Sequence, residues 1–329
     1  MRHYWLNIFS YLKNENLLAY ISLAAICIIW GTTYLALRIG VMEFPPFLFT
    51  GIRQVTAGIL LGGFMLWIRR HPLPDKRYWF KQTLAGFLMI FLGNGLVAWA
   101  EIYVSSGVAA LLCATMPVWV VLMNLGASES ERPNWLIALG VLTGFAGVSM
   151  VFGEHLAEFK NPNYAIGIIF IFIATISWAW GAIYAKRIAG DNHPFLNAAV
   201  QMFLGGLLSF VVSAFFEPWQ GLKLEGDTLW ALLYLIAFGS IAAFAAYAYA
   251  LSKLPITIVS LYAYVNPLVA VVLGWLILDE HFGWRTALSF VVTVFGIFLV
   301  NRGYRMRSAK RLKIMDAEKA AEVKQGISS

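Results

Sequence analysis

Apolar runs of about 20 residues follow one another along almost the whole chain. They lie near 17–38, 47–68, 82–103, 106–127 and 134–153, and again near 165–187, 195–216, 229–251, 256–278 and 284–301. At helical rise, about 20 apolar residues match the hydrocarbon core of a bilayer. Lipid offers no hydrogen bonds to a free backbone, so each run is expected to be a helix. The composition agrees: 60% of the 329 residues are hydrophobic and 12% are charged, with a mean hydropathy of +0.72. A soluble chain is about a quarter charged. The chain therefore reads as an all-α integral membrane protein with ten transmembrane helices.

The net charge of +7 does not point to nucleic acid, because the basic residues are not spread evenly. Arg69, Arg70, Lys76, Arg77, Lys81, Lys186, Arg187 and the tail from Arg302 fall on one side of the predicted threading, with Arg38, Lys160, Lys223 and Arg285 on the other. Lysine and arginine favour the cytoplasmic side, which predicts a multi-pass protein of the cell (inner) membrane with both termini cytoplasmic. Residues 1–16 form a cytoplasmic N-terminal segment, and 302–329 a basic cytoplasmic tail suited to anionic lipid. The first apolar run is too long for a signal peptide, and no small-residue cleavage site follows it, so it is expected to be retained.

The chain also repeats itself. "IWGTTYLALRIG" (29–40) returns as "AWGAIYAKRIAG" (179–190), pairing Trp30 with Trp180, Gly31 with Gly181, Tyr34 with Tyr184 and Gly40 with Gly190. The same shift of about 150 aligns Leu111 with Leu261 and Pro117 with Pro267, and a shift of about 149 aligns Glu131 with Glu280 and Trp135 with Trp284. A common register over such a distance indicates duplication. Residues 17–153 and 165–301 are then two five-helix repeats. Five is odd, so the second copy enters the bilayer from the opposite side. The predicted fold is two inverted five-helix repeats around a central cavity, the plan of many secondary transporters.

"IIWGTTYLALRIG", the following "FPPFLFTGIRQVTAGILL" and the helices bearing Pro117 and Pro267 resemble the EamA-type transporters of the drug/metabolite transporter superfamily. "ESERPNW" and "LDEHFGW" resemble the acidic element that this family carries after its fourth and ninth helices. The resemblance covers about residues 17–302. It implies a ten-helix bundle with cytoplasmic termini and a central cavity, often exporting amino acids or related metabolites.

Within that frame the candidate cavity residues are Trp30, Gly31, Tyr34, Arg53, Asn94, Trp99, Pro117, Trp180, Tyr184, Tyr262, Asn266 and Pro267. Proline lacks an amide hydrogen, so Pro117 and Pro267 should free the carbonyls of Cys113 and Ala263. Two matched midplane prolines favour cavity lining over a simple kink. Asn94, in "GNG", and Asn266 are mid-depth polar groups, either ligand contacts or interhelical hydrogen bonds. Trp30, Thr33 and Tyr34 share one helical face, as do Trp180, Ile183 and Tyr184. Such faces either fill the bundle core or build an aromatic wall for amphipathic solutes; Trp99 and Tyr262 would extend that wall. Arg53 lies about 9 Å into its span at helical rise. It either snorkels to the nearer face or grips a substrate carboxylate. The equivalent position in the second repeat is the uncharged Gln201.

Glu101 is expected to be an exposed carboxylate at a helix end, with proton coupling as the alternative. The first span has no acid, so the proton exchange of the superfamily's small multidrug exporters does not carry over. "GVLTG" (140–144) should allow close helix contact. Cys27 and Cys113 match neither a disulfide framework nor a metal-ligand spacing, and the five histidines fall in loops or at helix ends. No cofactor, metal or catalytic residue is expected. The function that follows is an exporter of small metabolites by alternating access, with membrane lipid as its other partner. A channel-like facilitator is the alternative, and a membrane-embedded enzyme a more distant one.

Overall fold

The computed structural model describes residues 15–69, 75–104, 106–124, 134–150, 161–189, 192–278, 284, 287–289, 291–300, 302–304 and 306–307. Most of the tail, the two acidic elements with Glu131 and Glu280, and Arg70 and Gly190 lie outside them, as do residues 1–14. The helices are α1 (Glu15–Glu43), α2 (Pro46–Ile68), α3 (Lys76–Ala100), α4 (Ser106–Asn124), α5 (Trp135–Met150), α6 (Pro162–Ile188), α7 (Pro194–Phe216) and α8 (Gly226–Lys253). Next come α9, in two pieces (Ile256–Val259 and Tyr262–Leu278), and α10 (Ala287–Tyr304). No strand occurs among the described residues. Eight of these helices are long and apolar enough to cross a membrane; shorter apolar helices stand at the fifth and ninth predicted positions. The protein is an all-α membrane protein.

Local chemistry sets the helix starts. Prolines open α2, α6 and α7, where the missing amide hydrogen is not needed. Asp75 caps α3 by accepting from the Tyr78 amide at 2.8 Å. The outward faces are apolar, and bulky aromatics such as Trp67, Trp135, Phe215, Phe216 and Trp230 are largely exposed near helix ends. In a bilayer these rings meet lipid and headgroups.

Two helix pairs pack antiparallel, α2 with α7 and α5 with α10. Along α2 and α7, Gly51 faces Phe210, Gly58 faces Phe203 and Gly62 faces Ala199. In α5 and α10, Gly140 faces Val300, Gly144 faces Gly296 and Gly147 faces Thr293, so "GVLTG" is a packing seam. These contacts need glycine: a Cβ on Gly58 would lie 2.7 Å from the Phe203 amide nitrogen, and one on Gly296 2.4 Å from that of Gly144. Water does not drive helices together in lipid, so such close approach supplies the cohesion. Around this pair, α1 lies against α8 and α9 while α6 lies against α3 and α4, the same arrangement with the halves exchanged.

One pair of contacts repeats across the halves in detail. The Arg38 guanidinium, near the end of α1, donates to the carbonyls of Glu101 and Val104 at the end of α3. Lys186, near the end of α6, donates to the carbonyls of Leu251 (3.0 Å) and Leu254 at the end of α8. Each cation caps a helix C-terminus, where carbonyls lack intrahelical donors.

Three stretches widen into π-helix: Phe64–Ile68, Phe87–Gly95 and Leu235–Ala242. The latter two lie inside α3 and α8. Their positions were not evident in the sequence.

Candidate functional site

A cavity of about 80 Å³ lies where the halves meet, lined from α1, α2, α3, α4, α6 and α9. That is room for several waters. Six of the predicted residues line it: Trp30, Tyr34, Arg53, Asn94, Tyr262 and Asn266. Trp30 anchors the wall. It is 7% exposed and packs against Tyr262 at 4.7 Å, Tyr247 at 5.2 Å, Trp178 at 5.6 Å and Phe244 at 5.8 Å between ring centroids. Its Nε1 donates to the Gly239 carbonyl at 3.1 Å. Gly239 sits in the α8 π-stretch, and the altered ladder there leaves a carbonyl for a partner on another helix. The α3 stretch behaves alike: Leu88 O accepts from Ser177 Oγ of α6 at 2.8 Å.

Arg53 of α2, Asn94 of α3 and Asn266 of α9 form the polar side of the cavity. Arg53 is 4% exposed and donates Nε to Ser240 Oγ of α8 at 2.8 Å. It therefore does not snorkel to a surface; it is held inward. Asn94, in the α3 stretch, has a buried amide nitrogen without a hydrogen-bond partner. Asn266 joins helices: with its amide nitrogen as donor, it reaches the carbonyls of Cys27 (3.0 Å) and Tyr262 (2.9 Å). It thus serves as both interhelical bond and cavity wall.

Several expectations need correction. Trp180 is 60% exposed and faces out of the bundle, while Trp178, two residues earlier, lines the cavity. Two residues are about 200° of helical turn, so the side chains oppose. The register explains the error: a shift of 148 pairs Trp30 with Trp178, Arg38 with Lys186 and Arg53 with Gln201. The structural matches follow it, and the Trp-Gly identity at 150 misleads. Tyr184 is half-buried against the core and does not line the cavity. Trp99 packs on Phe170 and Tyr103 instead. Gly31 is a packing position, where a Cβ would meet Val269 at 2.6 Å. Pro117 and Pro267 are buried but do not line the cavity. Pro117 sits just after a break at residues 114–115, where its missing amide hydrogen is harmless. Pro267 lies inside its helix, after a break at 260–261. Cys113 and Ala263, four residues before the prolines, do line the cavity.

Glu101 is not an exposed helix-end carboxylate. It is fully buried, with both carboxylate oxygens lacking a hydrogen-bond partner, and within the fields of Arg38 and Arg53. Thr175 and Met116 are lining residues that sequence reasoning passed over, and Thr33 lines the cavity beside Trp30 and Tyr34, whose face it shares. The described residues include no cluster of histidine, cysteine or acidic side chains able to hold a metal.

The two ends of the bundle differ. At the end formed by the α1–α2 and α7–α8 connections, apolar side chains including Leu37, Phe44, Phe49 and Leu235 close the structure. There the Glu217 carboxylate accepts from the amides of Phe47 and Leu48, each at 2.9 Å, and Thr228 donates to Glu43 at 2.8 Å. An acid at the start of α2 also meets the positive end of its helix dipole. At the other end a vestibule of about 350 Å³ opens among α6, α7 and α8, bordered by Lys186, Asn197, Gln201 and Lys253. Tyr247 and Phe244 line the vestibule and pack on Trp30 and Trp178, so rings partition it from the cavity.

The model of the EamA-like transporter family matches residues 17–153 and again 165–302. The uncharacterized inner membrane transporter YedA of Escherichia coli (strain K12) is 36% identical over 296 residues, covering 88% of this chain and 92% of that protein. The uncharacterized transporter YoaV of Bacillus subtilis (strain 168) is 24% identical, covering 85% and 95%. A solved crystal structure shares the fold with a TM-score of 0.71 at 20% identity, over 88% of this chain and 98% of the other.

Proposed function

This chain belongs to the EamA-like transporter family, and from that premise we propose that it is an alternating-access carrier exporting small amphipathic metabolites, such as amino acids, from the cytoplasm. It is a membrane transporter, and the family and its transporter-named relatives point away from an enzyme. The observation that carries the proposal is the central cavity, with aromatic rings on one side and Arg53, Asn94 and Asn266 on the other. A small solute with an apolar body and a charged or hydrogen-bonding head suits such a wall.

The inverted-repeat plan supports the exchange of states. Antiparallel α2 and α7, antiparallel α5 and α10, and the matched caps of Arg38 and Lys186 all favour two copies of one unit threaded oppositely. In such a pair, opening one end is the mirror of opening the other. Here the Glu217 end is shut and the Lys186 end holds the vestibule. With both termini cytoplasmic in the inner membrane, the vestibule is the cytoplasmic approach and the tyrosine–tryptophan partition its inner gate.

Topology is tested by cysteine labelling in whole cells. Lys223→Cys should react with an impermeant maleimide from outside, and Lys76→Cys only after the membrane is opened. Labelling of both from outside would refute the threading. The carrier reading is tested by counterflow in proteoliposomes loaded with candidate solutes found by metabolite profiling. Opposite-side solute should accelerate tracer entry in the wild type. Passage without such acceleration supports the facilitator instead.

A further inference from the structure

Three charges lie toward the closed end: Arg53 on the cavity wall, and Glu101 and Arg38 within its electrostatic reach but not lining it. Arg53 lines the cavity and is fixed by Ser240. Glu101 is fully buried at the end of α3, and neither carboxylate oxygen has a hydrogen bond. Arg38, half-buried on α1, spends its guanidinium on the Glu101 and Val104 carbonyls. Among the described residues, the other titratable groups within reach of Glu101 are Tyr34 on α1 and Cys113 on α4. Glu43 and Glu217, at the same end, are bound to Thr228 and to the α2 amides.

Arginine does not lose its proton inside proteins. The two guanidiniums are therefore constant, and the variable charges are the Glu101 proton and whatever enters the cavity. Arg38 is half-exposed and its charge faces the carbonyls of a helix C-terminus, so the buried balance is between Arg53 and one anion. With Glu101 ionised that pair is neutral; with Glu101 protonated it is neutral only if another anion sits beside Arg53. Buried charge is costly, so the site favours these two neutral states.

We propose that the anionic group of a solute and the Glu101 carboxylate alternate as the counter-ion of Arg53, so that binding one anion transfers one proton from water to Glu101. The solute class is a small monocarboxylate with an apolar or aromatic body, since Trp30, Trp178 and Tyr262 form the facing wall. The only bond made is the O–H of Glu101, its proton given up by the buffer; the solute's carboxylate takes the place of the displaced one, which becomes a carboxylic acid. This deepens the carrier reading and rests on it for one consequence: the empty and loaded carriers reorient with the same charge.

The test is titration calorimetry of the purified full chain in lipid nanodiscs, run in two buffers of different ionisation enthalpy. The probes are 3-phenylpropionate and 4-methylvalerate, with the amide of each as control. The wild type is expected to take up about one proton per carboxylate bound. Its Kd should rise about tenfold per pH unit across the window where Glu101 is ionised when empty and protonated when loaded. Amides should bind far more weakly. Glu101→Gln should bind carboxylates without proton uptake and with a flat pH profile, and Arg53→Gln should lose the preference for carboxylate over amide.

The proposal is overturned if no carboxylate binds saturably between about pH 5 and 8, if amides bind equally well, if the wild type takes up no proton, or if Glu101→Gln still does. The wild-type proton count stands even where a variant does not fold. Failure of the carrier reading is separate: carboxylate binding with proton uptake but no counterflow removes the carrier and leaves the linkage. Counterflow of a solute lacking a carboxylate, with no carboxylate binding, removes the linkage and leaves the carrier.

Discussion

Trp30→Ala is expected to abolish solute counterflow and to lower stability by about 3 kcal/mol, the order of a buried Trp→Ala truncation. The ring touches four other aromatic rings, two of which also line the vestibule, and its Nε1 bond to Gly239 O ties α1 to the α8 π-stretch. Removal opens both the cavity wall and the partition, and leaves a carbonyl without its donor. Trp30→Phe should restore much of the packing but not the hydrogen bond, giving an intermediate loss. Trp180→Ala is the control: that ring faces outward, so stability should stay within about 0.5 kcal/mol and counterflow should persist. Thermal unfolding in detergent and counterflow in proteoliposomes measure both quantities. Equal losses at Trp30 and Trp180 would mean that the ring cluster is not the wall of the transport path.

Gly58→Leu should prevent assembly of the bundle altogether. A Cβ there would lie 2.7 Å from Phe203 N and 2.8 Å from Ala199 O, both backbone atoms of α7 that cannot rotate away. The helices must part, and with them the scaffold that carries Arg53 on α2 and Gln201 on α7. Overpacking of this kind commonly costs about 1–3 kcal/mol and can exceed that range; with rigid backbone as the obstacle, more than about 3 kcal/mol is expected. Gly63→Leu, five residues on, meets nothing within 4 Å and should be tolerated. Size-exclusion profiles and melting temperatures of the two variants decide the matter. A Gly58→Leu protein that melts with Gly63→Leu would show that the α2–α7 contact is not what holds the halves together.

Much of the architecture was legible because it rests on terms that act residue by residue. Apolar length dictates spans, whereas the prolines that open α2, α6 and α7 entered only with the structure. The candidate site was legible in part. Trp30, Tyr34, Arg53, Asn94, Tyr262 and Asn266 were found by mid-depth position and polarity, and they line one cavity. Trp178 was missed because the strongest identity, Trp-Gly at 150, outweighed the weaker matches at 148. Arg53 and Gln201 already stood in that second register, so the signal was present.

Glu101 and the π-stretches show where such reading stops. An acid near a helix end is ordinarily solvated; here the α3–α4 turn, the Arg38 cap and the bundle around it exclude water. No local pattern encodes that enclosure. The widened turns of α3 and α8 were equally silent, since "FLMIFLGNG" and "LIAFGSIA" differ little from ordinary apolar helix.

Sequence alone determined that this chain is helical and built for a membrane, because hydrogen-bond satisfaction in lipid and the thickness of the hydrocarbon core are set by length and polarity. Which tryptophan faces inward, how Arg53 meets Ser240 and where Glu101 loses its water were decided only by the tertiary structure. Those outcomes depend on helix rotation and on approach through paired glycines, which are properties of two surfaces meeting rather than of either one alone.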